Sequence, residues 1–62
     1  MTLHFIGGKT DTLKVEKETK KYLMVRTEHG FHTRYRIDKE TGEVQDGTYH
    51  RVIKGLYITE ED

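Results

Sequence analysis

Apolar and polar residues alternate along three stretches of this chain, and that period of two most restricts the folds open to it. In Thr12 to Thr19, Leu13 and Val15 share one face and Lys14, Glu16 and Glu18 the other. In Tyr22 to Glu28, Leu23, Val25 and Thr27 alternate with Tyr22, Met24 and Arg26. In Phe31 to Ile37, Phe31, Thr33, Tyr35 and Ile37 alternate with His32, Arg34 and Arg36. Side chains return to one face every second residue in an extended chain, so the pattern predicts half-buried β-strands. Residue choice agrees. The chain has no alanine and no proline, while nine threonines, four valines and four isoleucines give 17 side chains branched at Cβ, which suit a pleated surface. Weaker strands are expected around Leu3 to Ile6, ending at Gly7-Gly8, and around Leu56 to Thr59 after Gly55.

Turn residues set the expected register. A three-residue hairpin loop wants glycine at its last, left-handed position, and Glu28-His29-Gly30 offers one. That loop pairs Thr27 with Phe31, Val25 with Thr33 and Leu23 with Tyr35, putting every apolar residue on one side. On the other side it sets Arg26 beside His32, Met24 beside Arg34 and Tyr22 beside Arg36. A loop of Thr19-Lys20-Lys21 pairs Val15 with Val25 and Lys14 with Arg26. Asp38-Lys39-Glu40-Thr41-Gly42 reads as a tight connection with Gly42 at positive φ, setting Asp38 against Glu43 and Ile37 against Val44. Asp46-Gly47 is a two-residue turn signal. Tyr49 to Lys54 breaks the alternation because Val52 and Ile53 are adjacent, which points to a β-bulge or a short 3₁₀ turn. Glu60-Glu61-Asp62 forms an acidic tail.

Sixty-two residues make one small domain, here residues 1–59, that buries only about 60% of the surface its unfolded chain exposes. A single flat sheet of this size would leave one apolar face in water; curling it closes the core and hides most edges. The expected fold is an all-β, five- or six-stranded SH3-like barrel, with an open antiparallel meander as the alternative.

Little in the sequence carries reaction chemistry. There is no cysteine for a disulfide, a thiolate metal site or a nucleophile, and no serine. Gly7-Gly8-Lys9-Thr10 lacks the spacing of a phosphate-binding loop. The histidines His4, His29, His32 and His50 fall on separate segments, and a closed structural zinc site prefers four converging ligands. Paired carboxylates fall in turns and in the tail, where nothing raises one pKa for acid catalysis. Neither an enzyme nor a cofactor or metal is expected. No stretch approaches the ~20 apolar residues of a membrane span, and no apolar segment of an export signal follows Met1.

Charge placement is more informative. Residues 1–37 hold eight Lys or Arg against four Asp or Glu, a balance of +4; residues 38–62 hold three against seven, a balance of −4. The outward row gathers Tyr22, Met24, Arg26, His32, Arg34 and Arg36, with Lys14 alongside. Arginine, tyrosine and methionine are enriched at interface centres, so these six are the candidate partner-binding residues. Tyr22 beside Arg36 suggests a cation–π pair. A nucleic-acid ligand would use the same face with Lys14, Lys20 and Lys21, although a protein gripping phosphates is usually net basic and this one has zero formal charge. A protein partner bearing an acidic patch suits a dipolar surface better. Self-association through an uncovered edge strand is the third possibility.

The run Lys14-Val15-Glu16-Lys17-Glu18-Thr19-Lys20-Lys21-Tyr22-Leu23-Met24-Val25, then Thr33-Arg34-Tyr35-Arg36, Asp38-Lys39-Glu40-Thr41-Gly42 and Thr59-Glu60-Glu61, resembles small β-barrel proteins encoded by bacteriophages. It covers about two thirds of the chain and carries hairpin motifs rather than catalytic ones. The resemblance implies an accessory protein of the bacterial cytoplasm that binds, and in some cases inhibits, a host factor. It transfers no functional residues.

Overall fold

The structure is a computed structural model that describes residues 1–60. Among these, six antiparallel strands form one curled half-barrel sheet, with no helix. The strands are β1 (Thr2–His4), β2 (Thr10–Glu18), β3 (Tyr22–Thr27), β4 (Arg34–Asp38), β5 (Val44–Asp46) and β6 (Tyr57–Thr59). Their order across the sheet is β5-β4-β3-β2-β1-β6, a meander whose last strand returns to pair with the first.

Strand β2 turns the corner. Its first residues, Thr10 to Thr12, pair with β1, whereas Leu13 to Glu18 pair with β3. A bulge at Glu16 shifts the second ladder: Val15 faces Val25, but Lys17 faces Met24 and Glu18 faces Leu23. An extra residue on one strand bends it and raises its twist, which helps the sheet curl. The C-terminal segment then touches both ends of the sheet. Ile53 N–H donates to Val44 O at 2.9 Å, Asp46 N–H to Arg51 O at 3.0 Å, and Val52 bridges Gln45; a few residues on, β6 pairs with β1.

The concave side holds the core. Leu3, Leu13, Val25, Tyr35, Ile37 and Val44 are buried, supported by half-buried Met1, Phe5, Leu23, Ile53, Leu56 and Ile58. Strands β1 to β5 each supply at least one of the six, as alternation requires. Burying a Leu, Ile or Val side chain is worth about 1.5–3 kcal/mol, so Leu3, Val25, Ile37 and Val44, the most fully buried, anchor the fold. Burial, followed by the Asp11 carboxylate, pushes the Tyr35 phenol above its usual pKa.

Several expected details are corrected. The β3–β4 loop is five residues, Glu28 to His32, closed by Thr27 N–H donating to Thr33 O at 3.0 Å. Leu23 therefore faces Ile37, Val25 faces Tyr35 and Arg26 faces Arg34, two residues from the expected register. Gly30 does take positive φ, at 67°, but His32 joins it at 52°. The His32 ring Nδ1 sits 3.2 Å from Thr27 O, which stabilises the wider loop. Strand β4 starts at Arg34, and Phe31 is 99% exposed rather than part of the core row.

The first and last strands are shorter than expected, at Thr2–His4 and Tyr57–Thr59. Asp46-Gly47 is not a two-residue hairpin turn: the Asp46 carboxylate accepts N–H bonds from Thr48, Tyr49 and Arg51, organising a wider loop. The segment 49–55 holds an isolated bridge and turns but no 3₁₀ helix, and the bulge lies in β2 instead. Glu60 is exposed, while Glu61 and Asp62 of the expected tail lie outside the described residues.

The Lys14–Arg26, Val15–Val25 and Ile37–Val44 pairings stand as expected. So does Asp38 against Glu43, with Asp38 N–H donating to Glu43 O at 3.0 Å, and Gly42 at φ 79°. The Thr19-Lys20-Lys21 turn does without glycine because Thr19 Oγ1 accepts the Tyr22 N–H at 3.0 Å.

Candidate docking face

The outward face is assembled from four adjacent strands. β3 contributes Tyr22, Met24 and Arg26; β4 contributes Arg34 and Arg36; β2 contributes Lys14 and, past the bulge, Lys17; β5 contributes Gln45. Across the ladders, Lys14 faces Arg26, Arg26 faces Arg34, Lys17 faces Met24, Met24 faces Arg36 and Arg36 faces Gln45. Like charges directly opposite one another destabilise a sheet, so this concentration of cations needs local compensation.

Two groups supply it. Glu16, the bulge residue, places Oε1 3.2 Å from Arg34 Nε and Oε2 3.8 Å from Arg26 Nη1. Gln45, only 7% exposed, accepts from Arg36 Nε at 2.6 Å. The Arg36 guanidinium also lies over the Tyr22 ring, 4.0 Å from its centroid. This is the cation–π pair expected from the sequence, but the residues are diagonal neighbours rather than opposite ones, since Tyr22 faces Asp38. The arginines are not covered by other side chains: that of Arg34 is 69% exposed and that of Arg26 36%.

His32 is exposed and belongs to the loop, not to β4. It lines a shallow hollow with Lys14, Arg26, Glu28 and His29 at one end of the face. Lys20 and Lys21 sit in the β2–β3 turn at the other end, where they border a hollow with Tyr22, Asp38, Lys39 and Glu40. Basic groups thus span the face from end to end, but the lysine pair is flanked by acids. Lys39 is itself held by Glu18.

Glu16, Lys17 and Gln45 belong to the face and were not among the residues singled out from sequence. Gln45 was within reach, since the expected Ile37–Val44 pairing, carried one residue on, sets it against Arg36. Glu16 depends on the bulge, which alternation does not announce. The remaining histidines lie apart: His4 stacks on Tyr57 at 4.5 Å, and His29 Nδ1 meets Asp11 Oδ1 at 2.9 Å. Among the described residues, no group of three or more His, Asp or Glu side chains could hold a metal ion.

Searches against protein-family models, curated proteins and solved structures found no match to this chain.

Proposed function

We propose that this protein is a non-enzymatic binding module, an SH3-like small barrel that docks a partner protein through the outward face of β2, β3 and β4. One observation carries the reading. Lys14, Lys17, Arg26, Arg34 and Arg36 share that face with Tyr22 and Met24, and Glu16 is the carboxylate that contacts its arginines. A cationic patch around an aromatic and a methionine has the make-up of an interface centre, and its charge would steer a complementary partner into one orientation. The resemblance to small phage β-barrel proteins is the ground for seeking that partner among bacterial host proteins.

Nucleic acid is the second reading, supported by the basic groups at both ends of the face, Lys14 at one and Lys20 and Lys21 at the other. It is the weaker of the two, because Arg36 already occupies the Tyr22 ring on which a base would stack.

The test is capture from bacterial lysate by the immobilised protein and by an Arg34→Glu variant in parallel, followed by reconstitution with the purified captured protein. Direct binding by the wild type and its loss in the variant are expected. Equal binding by both would end the reading. Labelled single- and double-stranded oligonucleotides at two salt concentrations address the second reading, for which binding must fall steeply with salt.

A further inference from the structure

Arg26 and Arg34 are direct cross-strand partners, an arrangement that is unfavourable unless an anion lies between them. The anion present is Glu16, and its grip is partial. One oxygen is 3.2 Å from Arg34 Nε and the other 3.8 Å from Arg26 Nη1, so neither guanidinium is held in the two-bond fork that makes arginine–carboxylate pairs strong. Each guanidinium carries five N–H donors, and the Arg34 side chain is 69% exposed, open to a second anion. Glu16 is also the extra residue of the bulge, so its side chain can swing away without breaking the β2–β3 ladder.

We propose that Glu16 occupies the place of a partner's carboxylate, and that the face takes an acidic segment of a protein, which displaces Glu16 and engages Arg26 and Arg34 together. The proposal rests on the docking reading above and adds the chemistry of the partner and an internal competitor for its site. The carboxylate already seated between the arginines argues for an acidic peptide over a phosphate chain. So does the acidic hairpin Asp38–Glu43, near Lys20 and Lys21, which would repel a long polyanion more than a short acidic segment. Exposed ion pairs contribute only about 0.2–1 kcal/mol each, so displacing Glu16 costs little, yet it lowers the affinity measurably.

The probe is a fluorescein-labelled decaglutamate peptide, titrated at low salt and followed by anisotropy against the wild type, Glu16→Gln and Arg34→Glu. The Arg34 Nε–H resonance of the wild type is followed by NMR in parallel. Expected are wild-type binding with movement of that resonance, about fivefold tighter binding by Glu16→Gln, and loss of binding by Arg34→Glu. If the wild type binds, Arg34→Glu does not, and Glu16→Gln gains nothing, then Glu16 is only a structural neutraliser and the competitor proposal falls while the docking face survives. If Arg34→Glu binds as well as the wild type, or no form binds at low salt, the docking reading falls with it. A thymidylate decamer showing the same gain in Glu16→Gln would overturn the choice of an acidic protein segment.

Discussion

Arg36 reaches diagonally across the β3–β4 ladder to lie over Tyr22, with its guanidinium carbon 4.0 Å from the ring centroid, while Gln45 fixes its Nε from the other side. One face of the guanidinium and its Nε–H edge are thus both engaged, which orients the side chain at the middle of the docking face.

Replacing Tyr22 with leucine keeps apolar cover but removes the π-face. The expected loss is about 0.5–1 kcal/mol, read from the urea midpoint. The Arg36 Nε–H resonance should broaden as the side chain regains freedom; an unchanged resonance would mean that Gln45 alone holds it.

Gly47 lies against β4. A Cβ there would meet the Arg34 carbonyl oxygen at 2.8 Å, and the Gly47 N–H donates to that same oxygen at 3.0 Å. Gly47→Ala should therefore force the backbone apart and cost about 1–3 kcal/mol, lowering Tm by several degrees. At the open tip of the β3–β4 loop, Phe31→Ser should change stability by no more than about 0.5 kcal/mol, despite the larger loss of apolar surface.

Val25 is fully enclosed. An aspartate in its place leaves an unpaired buried carboxylate, a penalty on the order of 3–5 kcal/mol, which is about all the stability a core of this size supplies. The variant should show no cooperative unfolding transition by circular dichroism. Arg34→Glu should melt close to the wild type, since the attraction gained opposite Arg26 offsets the loss of the exposed Glu16–Arg34 pair and the new repulsion from Glu16, terms of about 0.2–1 kcal/mol each at an exposed site.

Backbone N–H groups of Tyr49 and Arg51, with smaller help from Thr48 and His50, hold the Asp46 carboxyl below its ordinary pKa. The sign follows from linkage. A folded-state pKa below the unfolded value means that the unfolded chain takes up the proton first, so the stabilisation is complete above the unfolded carboxylate pKa, about 3.9. It fades as pH falls through the lower folded value. Urea midpoints measured from pH 6 down to about pH 2 should show this component in the wild type and lack it in Asp46→Ala.

Much of the architecture could be read from alternation. Leu13, Val25, Tyr35, Ile37 and Val44 turn inward as the period of two requires, and the β3–β4 register slipped by two residues without moving one of them to the wrong face. A slip of two preserves sidedness, where a slip of one would have exchanged core for surface. Gly30 is left-handed as the loop pattern requires, but a second such residue, His32, widens the loop; a histidine at positive φ with its ring bonded to a carbonyl leaves no pattern in the sequence. The bulge at Glu16 was hidden for a related reason. It sits in a run of charged residues, where one extra residue disturbs no apolar rhythm, yet it turns Lys17 outward and Glu18 toward the groove beside Leu23 and Ile37. The core was legible because hydrophobic burial acts on every second residue. The compensating contacts on the outer face were less so, because they depend on single side chains at single positions.

The pairing of β6 with β1, His4 against Tyr57, sets a timetable as well as a shape. Hairpins between neighbouring strands zip up locally and fast, whereas this contact waits on the diffusive meeting of segments more than fifty residues apart, the kind of long-range closure that slows folding. Until that closure is made, the outer edge of β1 stays open to any passing strand, and the arrival of β6 is what covers it.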